Sequence, residues 1–270
     1  MKINLMSASL IVALSISTTF AKIEQKKSSH STSLKSIESE ARIKKVLLSQ
    51  FSKNLDKKSL VSLKKEVFSY SGKSVPSLIE VMKSSKYPDK NRWIATFLLG
   101  RIVGKKSSPF LAKFIDHPSW VLRMASLKTL LALKEDRYGL YYAKSLKDNS
   151  FLVRKQALEN IRKLNLKKYA ANVWSMLYDK KNYYQAKDKK ELKAKKRTNL
   201  IKDAVKVVGD LKFEKALQPL LTMVQKDRYQ DIFDEMDYSL QKITGKKSPN
   251  TGLSSKKRFW KKVGITYKTF

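Results

Sequence analysis

The stretches NRWIATFLLGRI (91–102), LRMASLKTLLAL (122–133) and VRKQALENIRKL (153–164) lie on top of one another at a constant step of 31 residues. Arg92, Arg123 and Arg154 fall in register, as do the small residues Ala95, Ser126 and Ala157 and the apolar Leu99, Leu130 and Ile161. In the third stretch Val153, Ala157, Leu158, Ile161 and Leu164 form one continuous stripe at helical spacing. A small residue in the middle of the stripe lets a neighbouring helix approach closely. The reading is therefore a repeated amphipathic helix that buries one face against copies of itself.

Each stretch follows a shorter apolar segment: PSLIEVMKSS from Pro76, PFLAKFID from Pro109 and GLYYAKSLKD from Gly139. Pro76 and Pro109 suit a first helical turn, where the missing N–H leaves no bond unmade. Turns fall at Pro88-Asp89, His117-Pro118 and Asp148-Asn149-Ser150. A single helical hairpin cannot bury its apolar face, whereas stacked hairpins can. Residues 41–72 are expected to form a degenerate first hairpin closing one end.

The turn followed by V-R-x-x-A-x-x-x-L, present as VRKQALENI and LRMASLKTL, resembles the second helix of the short bacterial HEAT-like repeats of the PBS-lyase type. NLIKDAVKVVGDLKFEKALQPLLTMV from Asn199 is similar again, with Ala204, Val208 and Gly209 matching Ala95, Leu99 and Gly100. SLQKITG ending at Gly245, with Trp260 beyond it, resembles the segment that closes many exported proteins of this kind. The resemblance implies an all-α fold, a right-handed α-solenoid of about five or six hairpins over residues 41–245. It also implies that Arg92, Arg123 and Arg154 form a structural ladder to acidic or backbone groups at neighbouring turns, with Asp89, Asp116 and Asp148 available.

The N-terminus reads as an export signal. Lys2 precedes an apolar run from Leu5 to Ile16 and a short stretch ending Thr19-Phe20-Ala21, so cleavage is expected after Ala21. Retention of the run as an anchor is the alternative. Residues 22–40, KIEQKKSSHSTSLKSIESE, lack apolar periodicity and read as a disordered spacer. No membrane span is expected after cleavage, and the expected location is the periplasm or outside the cell.

Charge dominates the composition, with 58 Lys+Arg against 23 Asp+Glu and a formal net charge of +35. Such a field draws a protein to polyanions, or it is lysine-rich composition on a solvated surface. Residues 246–270 form a basic tail with eight Lys/Arg and no acid. Its Phe259, Trp260, Val263 and Tyr267 recur at helical spacing and suit a terminal cap.

One segment breaks the repeat register. KKNYYQAKDKKELKAKKRT (180–198) brings together Lys180, Lys181, Lys187, Lys189, Lys190, Lys193, Lys195, Lys196 and Arg197, with Tyr178, Tyr183 and Tyr184 beside them. Cations interleaved with aromatics bind phosphorylated chains and stack on bases. The same composition also makes an ordinary solvated helix, since Glu191 can pair with Lys187 or Lys195 one turn away.

Catalytic patterns fail on inspection. GRIVGKKS (100–107) has three residues between its glycines and Lys106 where a phosphate-binding loop needs Ser or Thr. Two separated histidines, His30 and His117, and zero cysteines give no basis for a transition-metal site. WVLRMA (120–125) is superficially similar to part of the HEAT-like alkylpurine DNA glycosylases, but their tryptophan-flanked catalytic aspartate has no counterpart here. A bilin-lyase-like activity rests on fold alone. The expectation is a non-enzymatic scaffold without cofactor or metal that binds an acidic protein or anionic polymer. A secreted nucleic-acid-binding protein is the alternative.

Overall fold

The computed structural model describes residues 38–183 and 199–267. The proposed signal and most of the proposed spacer therefore lie outside the described residues. Those that are described are all-helical, and none forms a β-strand. The chain forms two compact units that divide between Asn91 and Arg92.

In the first unit, α1 (38–51), α2 (Lys57–Tyr70) and α3 (Val75–Lys83) bury Leu47, Phe51, Leu63, Val67, Leu78, Val81 and Met82. Helix is already present at residue 38, three residues before Ala41. Asp56 caps α2 by accepting from the Ser59 N–H at 2.7 Å. Asn91 ties the α1–α2 connection down, its Nδ2 donating to the carbonyls of Phe51 and Lys53, each at 2.7 Å.

The second unit opens within α4 (Asp89–Val103) and continues through α5 (Ser108–Lys113), α6 (Trp120–Ala132), α7 (Gly139–Ser145), α8 (Phe151–Lys163) and α9 (Ala170–Ser175). After the undescribed stretch come α10 (Asn199–Asp210), α11 (Leu217–Met223), α12 (Phe233–Thr244) and α13 (Leu253–Thr266). Helices α4, α6 and α8 start at residues 89, 120 and 151, so the 31-residue step of the sequence is also the step of the helices. Helix α6 packs on α5 and α8, α8 on α7 and α10, and α10 on α9 and α12. Their shared core contains Leu122, Leu127, Leu130, Val153, Ile161, Leu200, Val208 and Leu240. Ala95, Ser126, Ala157 and Ala204 are all buried, as a small residue beneath a crossing helix should be.

Two glycines mark close approaches between α-helices. A Cβ at Gly100 would stand 2.3 Å from the Thr129 methyl of α6, and one at Gly209 would stand 2.6 Å from the Ser239 Cα of α12. The second contact is with backbone and cannot be relieved by turning a side chain.

Helices α6, α8 and α10 end alike. Lys134, Asn165 and Lys212 adopt left-handed φ of 54, 51 and 52°. The N–H groups of Glu135, Leu166 and Phe213 then donate to Leu130, Ile161 and Val208 at 3.0–3.1 Å. This is the Schellman stop, which satisfies carbonyls the helix leaves open. Leu166 and Phe213 place apolar side chains at the stop, but Glu135 puts a carboxylate there with 1% exposure. Arg137 donates to its Oε2 at 2.9 and 3.1 Å, and its Oε1 finds no donor among the described residues.

Among the described residues, no helix is long and apolar enough to cross a membrane.

Candidate functional site

The three registered arginines sit near the start of α4, α6 and α8 and reach toward the following turn. Arg123 Nε and Nη2 donate to Asp148 Oδ2 and Oδ1, both at 2.8 Å, while Nη1 donates to the carbonyls of His117 and Pro118. Arg154 repeats the inner half of this clamp on Asp148 O and Asn149 O, at 2.8 and 3.1 Å. Its outer half differs, with Nε on Asn182 Oδ1 and Nη2 on the Lys181 carbonyl. Burial pulls the Arg154 guanidinium below the ordinary arginine pKa, opposed by the charges of Asp179 and Asp148. Arg92 Nη2 lies 3.5 Å from His117 Nε2.

The receiving turns share a device of their own. His117 Nδ1, Asp148 Oδ1 and Asp179 Oδ1 stand at a 31-residue step, and each accepts the N–H two residues ahead, from Ser119, Ser150 and Lys181, at 3.0, 2.7 and 2.9 Å. Of the acids proposed as ladder partners, Asp148 receives Arg123, whereas Asp116 is paired on the surface with Lys144 at 2.8 Å. The true register position is 117, one residue later, and the step of the arginines themselves points to it. All of these groups hold the turns together, so their hydrogen bonds are already engaged within the chain.

The basic segment is described only at its start. Lys180, Lys181 and Asn182 form a single 3-10 turn. Lys181 Nζ donates to Asn149 Oδ1 at 2.9 Å, and the Tyr183 hydroxyl donates to the Leu177 carbonyl. Tyr178 is 72% exposed with its ring edge-on to Trp174. Of the two described tyrosines, then, Tyr178 faces solvent and Tyr183 is turned back onto the chain. Tyr184, Lys187, Lys189, Lys190, Lys193, Lys195, Lys196 and Arg197 lie outside the described residues.

An open groove of about 450 Å³ between α6, α8 and α10 is lined by apolar Met124, Leu152 and Val207 and by Lys155. Along its edge Arg162 donates to Asp210 Oδ2 at 2.9 Å, and Tyr238 donates to Asp210 Oδ1 at 2.6 Å. Cations also rest on two rings of α4: Lys128 Nζ lies 5.6 Å from the Trp93 centroid, and the Arg101 guanidinium lies 6.0 Å from the ring of Phe97.

The basic tail is fastened by one buried acid. Trp260, with no exposed surface, donates from Nε1 to Asp237 Oδ1 at 2.7 Å, and Lys256 Nζ stands 2.9 Å from Oδ2. Burial alone would raise the Asp237 pKa, but hydrogen bonds from Ser248, Lys256 and Trp260 outweigh it and hold the carboxyl below its ordinary value. Lys257 adds a second tie to Asp227 at 2.7 Å.

Among the described residues, no group of three or more His, Asp or Glu side chains is placed to hold a metal ion. No family model matches the chain, and no curated protein matches it.

Proposed function

We propose that this chain is an exported, non-catalytic scaffold of HEAT-like type, a right-handed α-solenoid of about five or six hairpins, that binds an acidic protein or an anionic polymer. The equal step of α4, α6 and α8, the small residues buried in register and the matching stops at Lys134, Asn165 and Lys212 support the repeat. The N-terminal pattern from Lys2 to Ala21 supports export.

One observation carries the binding reading. Several carboxylates are already engaged by cations of the chain itself, Asp148 by Arg123, Asp210 by Arg162, Asp237 by Lys256 and Glu80 by Lys44. With 58 basic against 23 acidic residues, the cations have no comparable supply of internal partners. The excess belongs to the surface, where it attracts polyanions. The cation-bearing rings of Trp93 and Phe97, the latter 37% exposed, favour nucleic acid as a second reading, since bases stack on such rings.

Binding to inorganic polyphosphate, a polyanion without bases, tests the first reading. If the clustered cations form the binding element, neutralising Lys189, Lys190, Lys193, Lys195 and Lys196 is expected to weaken it more than neutralising five scattered lysines, and since both variants lose the same net charge the comparison separates local from global electrostatics. Equal losses would reduce 180–197 to ordinary solvated surface. A parent chain that does not bind polyphosphate at low salt would overturn the reading itself.

A further inference from the structure

Helix α13 has two faces with different employment. One is locked to the protein through Trp260, Val263, the Lys256–Asp237 pair and the Lys257–Asp227 pair. The other carries Arg258, Lys261, Lys262 and Ile265, spaced i, i+3, i+4 and i+7, and all four are exposed. Among the described residues no carboxylate pairs with Arg258, Lys261 or Lys262, and the sequence has no acid from 246 to the end.

The stripe is more than cationic. Ile265, at its end, is 62% exposed. A soluble polyanion would use the cations and leave the isoleucine in water. A lipid surface uses both: Lys and Arg heads reach headgroup phosphates, and an isoleucine enters the acyl boundary.

We propose that the outward face of α13 docks on an anionic lipid surface, as a reversible peripheral contact made by Arg258, Lys261, Lys262 and Ile265. The inference deepens the polyanion reading by naming the surface and the ligand class. Because α13 is already folded and tied to Asp237 and Asp227, docking does not have to order the helix. With one isoleucine and a few cations, the contact is weaker than an anchor and depends on lipid charge.

The test is co-sedimentation of the chain with vesicles of phosphatidylcholine alone or mixed with phosphatidylglycerol, beside binding to soluble polyphosphate. A triple variant, Arg258→Gln, Lys261→Gln and Lys262→Gln, is compared with a control in which exposed Lys105, Lys106 and Lys167 become Gln. The parent is expected to bind the mixed vesicles only. The α13 variant should lose roughly a hundredfold, from about a factor of five per cation, and the control far less. Unchanged Trp260 fluorescence, read with Trp93, Trp120 and Trp174 replaced by Phe throughout, shows that the helix is still docked in each variant. Equal losses in both variants overturn the assignment of the surface. So does a parent that binds polyphosphate and ignores both vesicles, although the polyanion reading then stands. A parent that binds neither vesicles nor polyphosphate removes both. An Ile265→Ser variant that partitions as the parent does overturns lipid in favour of a soluble polyanion.

Discussion

Arg123 holds Asp148 through two parallel bonds of 2.8 Å, and the same guanidinium grips the carbonyls of His117 and Pro118 in the turn before its own helix. One side chain thus joins two successive turns. The pair is mostly buried, with side-chain exposures of 15% and 12%.

That geometry separates two acids of one type. Asp148→Ala strands a largely buried guanidinium and is expected to cost about 3 kcal/mol in urea denaturation. Asp116, paired with Lys144 at 56% and 67% exposure, should change stability by less than about 1 kcal/mol when replaced by Ala. Similar costs for the two would mean that the Arg123 clamp does not join the turns.

Gly209 tests the helix approach that is made against backbone. Gly209→Ala places a methyl group against the Ser239 backbone and should destabilise by about 1–3 kcal/mol, since α10 and α12 must move apart. Gly72, with nothing within 4 Å of its would-be Cβ, should tolerate Ala with a change below about 1 kcal/mol. Thermal melts of the two variants decide the point.

The α13 anchor should be sensitive to acid. The Asp237 pKa lies below its ordinary 3.8 in the folded chain, so its contribution is complete above that value and is lost as pH falls through the lower folded value. With Trp93, Trp120 and Trp174 replaced by Phe, Trp260 fluorescence should therefore hold constant down to about pH 4 and change below it as the indole loses its charged acceptor. In Asp237→Asn that acid-dependent step should disappear. A transition centred above pH 5 would contradict the assignment.

The helical class and the 31-residue step could be read from the sequence, because burial of one face forces the same residues to recur at 95, 126 and 157. The stops were harder to see. Lysine seldom adopts left-handed φ, so Lys134 and Lys212 give no local warning, and Asn165 alone of the three has a side chain that favours it. Glu135 was hidden for a related reason: a carboxylate next to an exposed arginine looks like surface, yet the Schellman turn directs it inward. His117 replaces an aspartate at a turn by offering a ring nitrogen in place of a carboxylate oxygen, which residue type alone conceals. The third outer rung uses Asn182, 28 residues after its arginine, against 25 for the first two, although Asp179 keeps the register position and its turn hydrogen bond. The cationic residues proposed from Tyr184 to Arg197 rest on sequence, since they lie outside the described residues.

The salt dependence of polyphosphate binding tests the central claim, that cations left over by the fold are available to a polyanion. If binding neutralises several phosphates, log affinity should fall linearly with log salt, with a slope steeper than about −3 as condensed counterions are released. A shallow or flat dependence, or no binding at the lowest salt, would contradict the account.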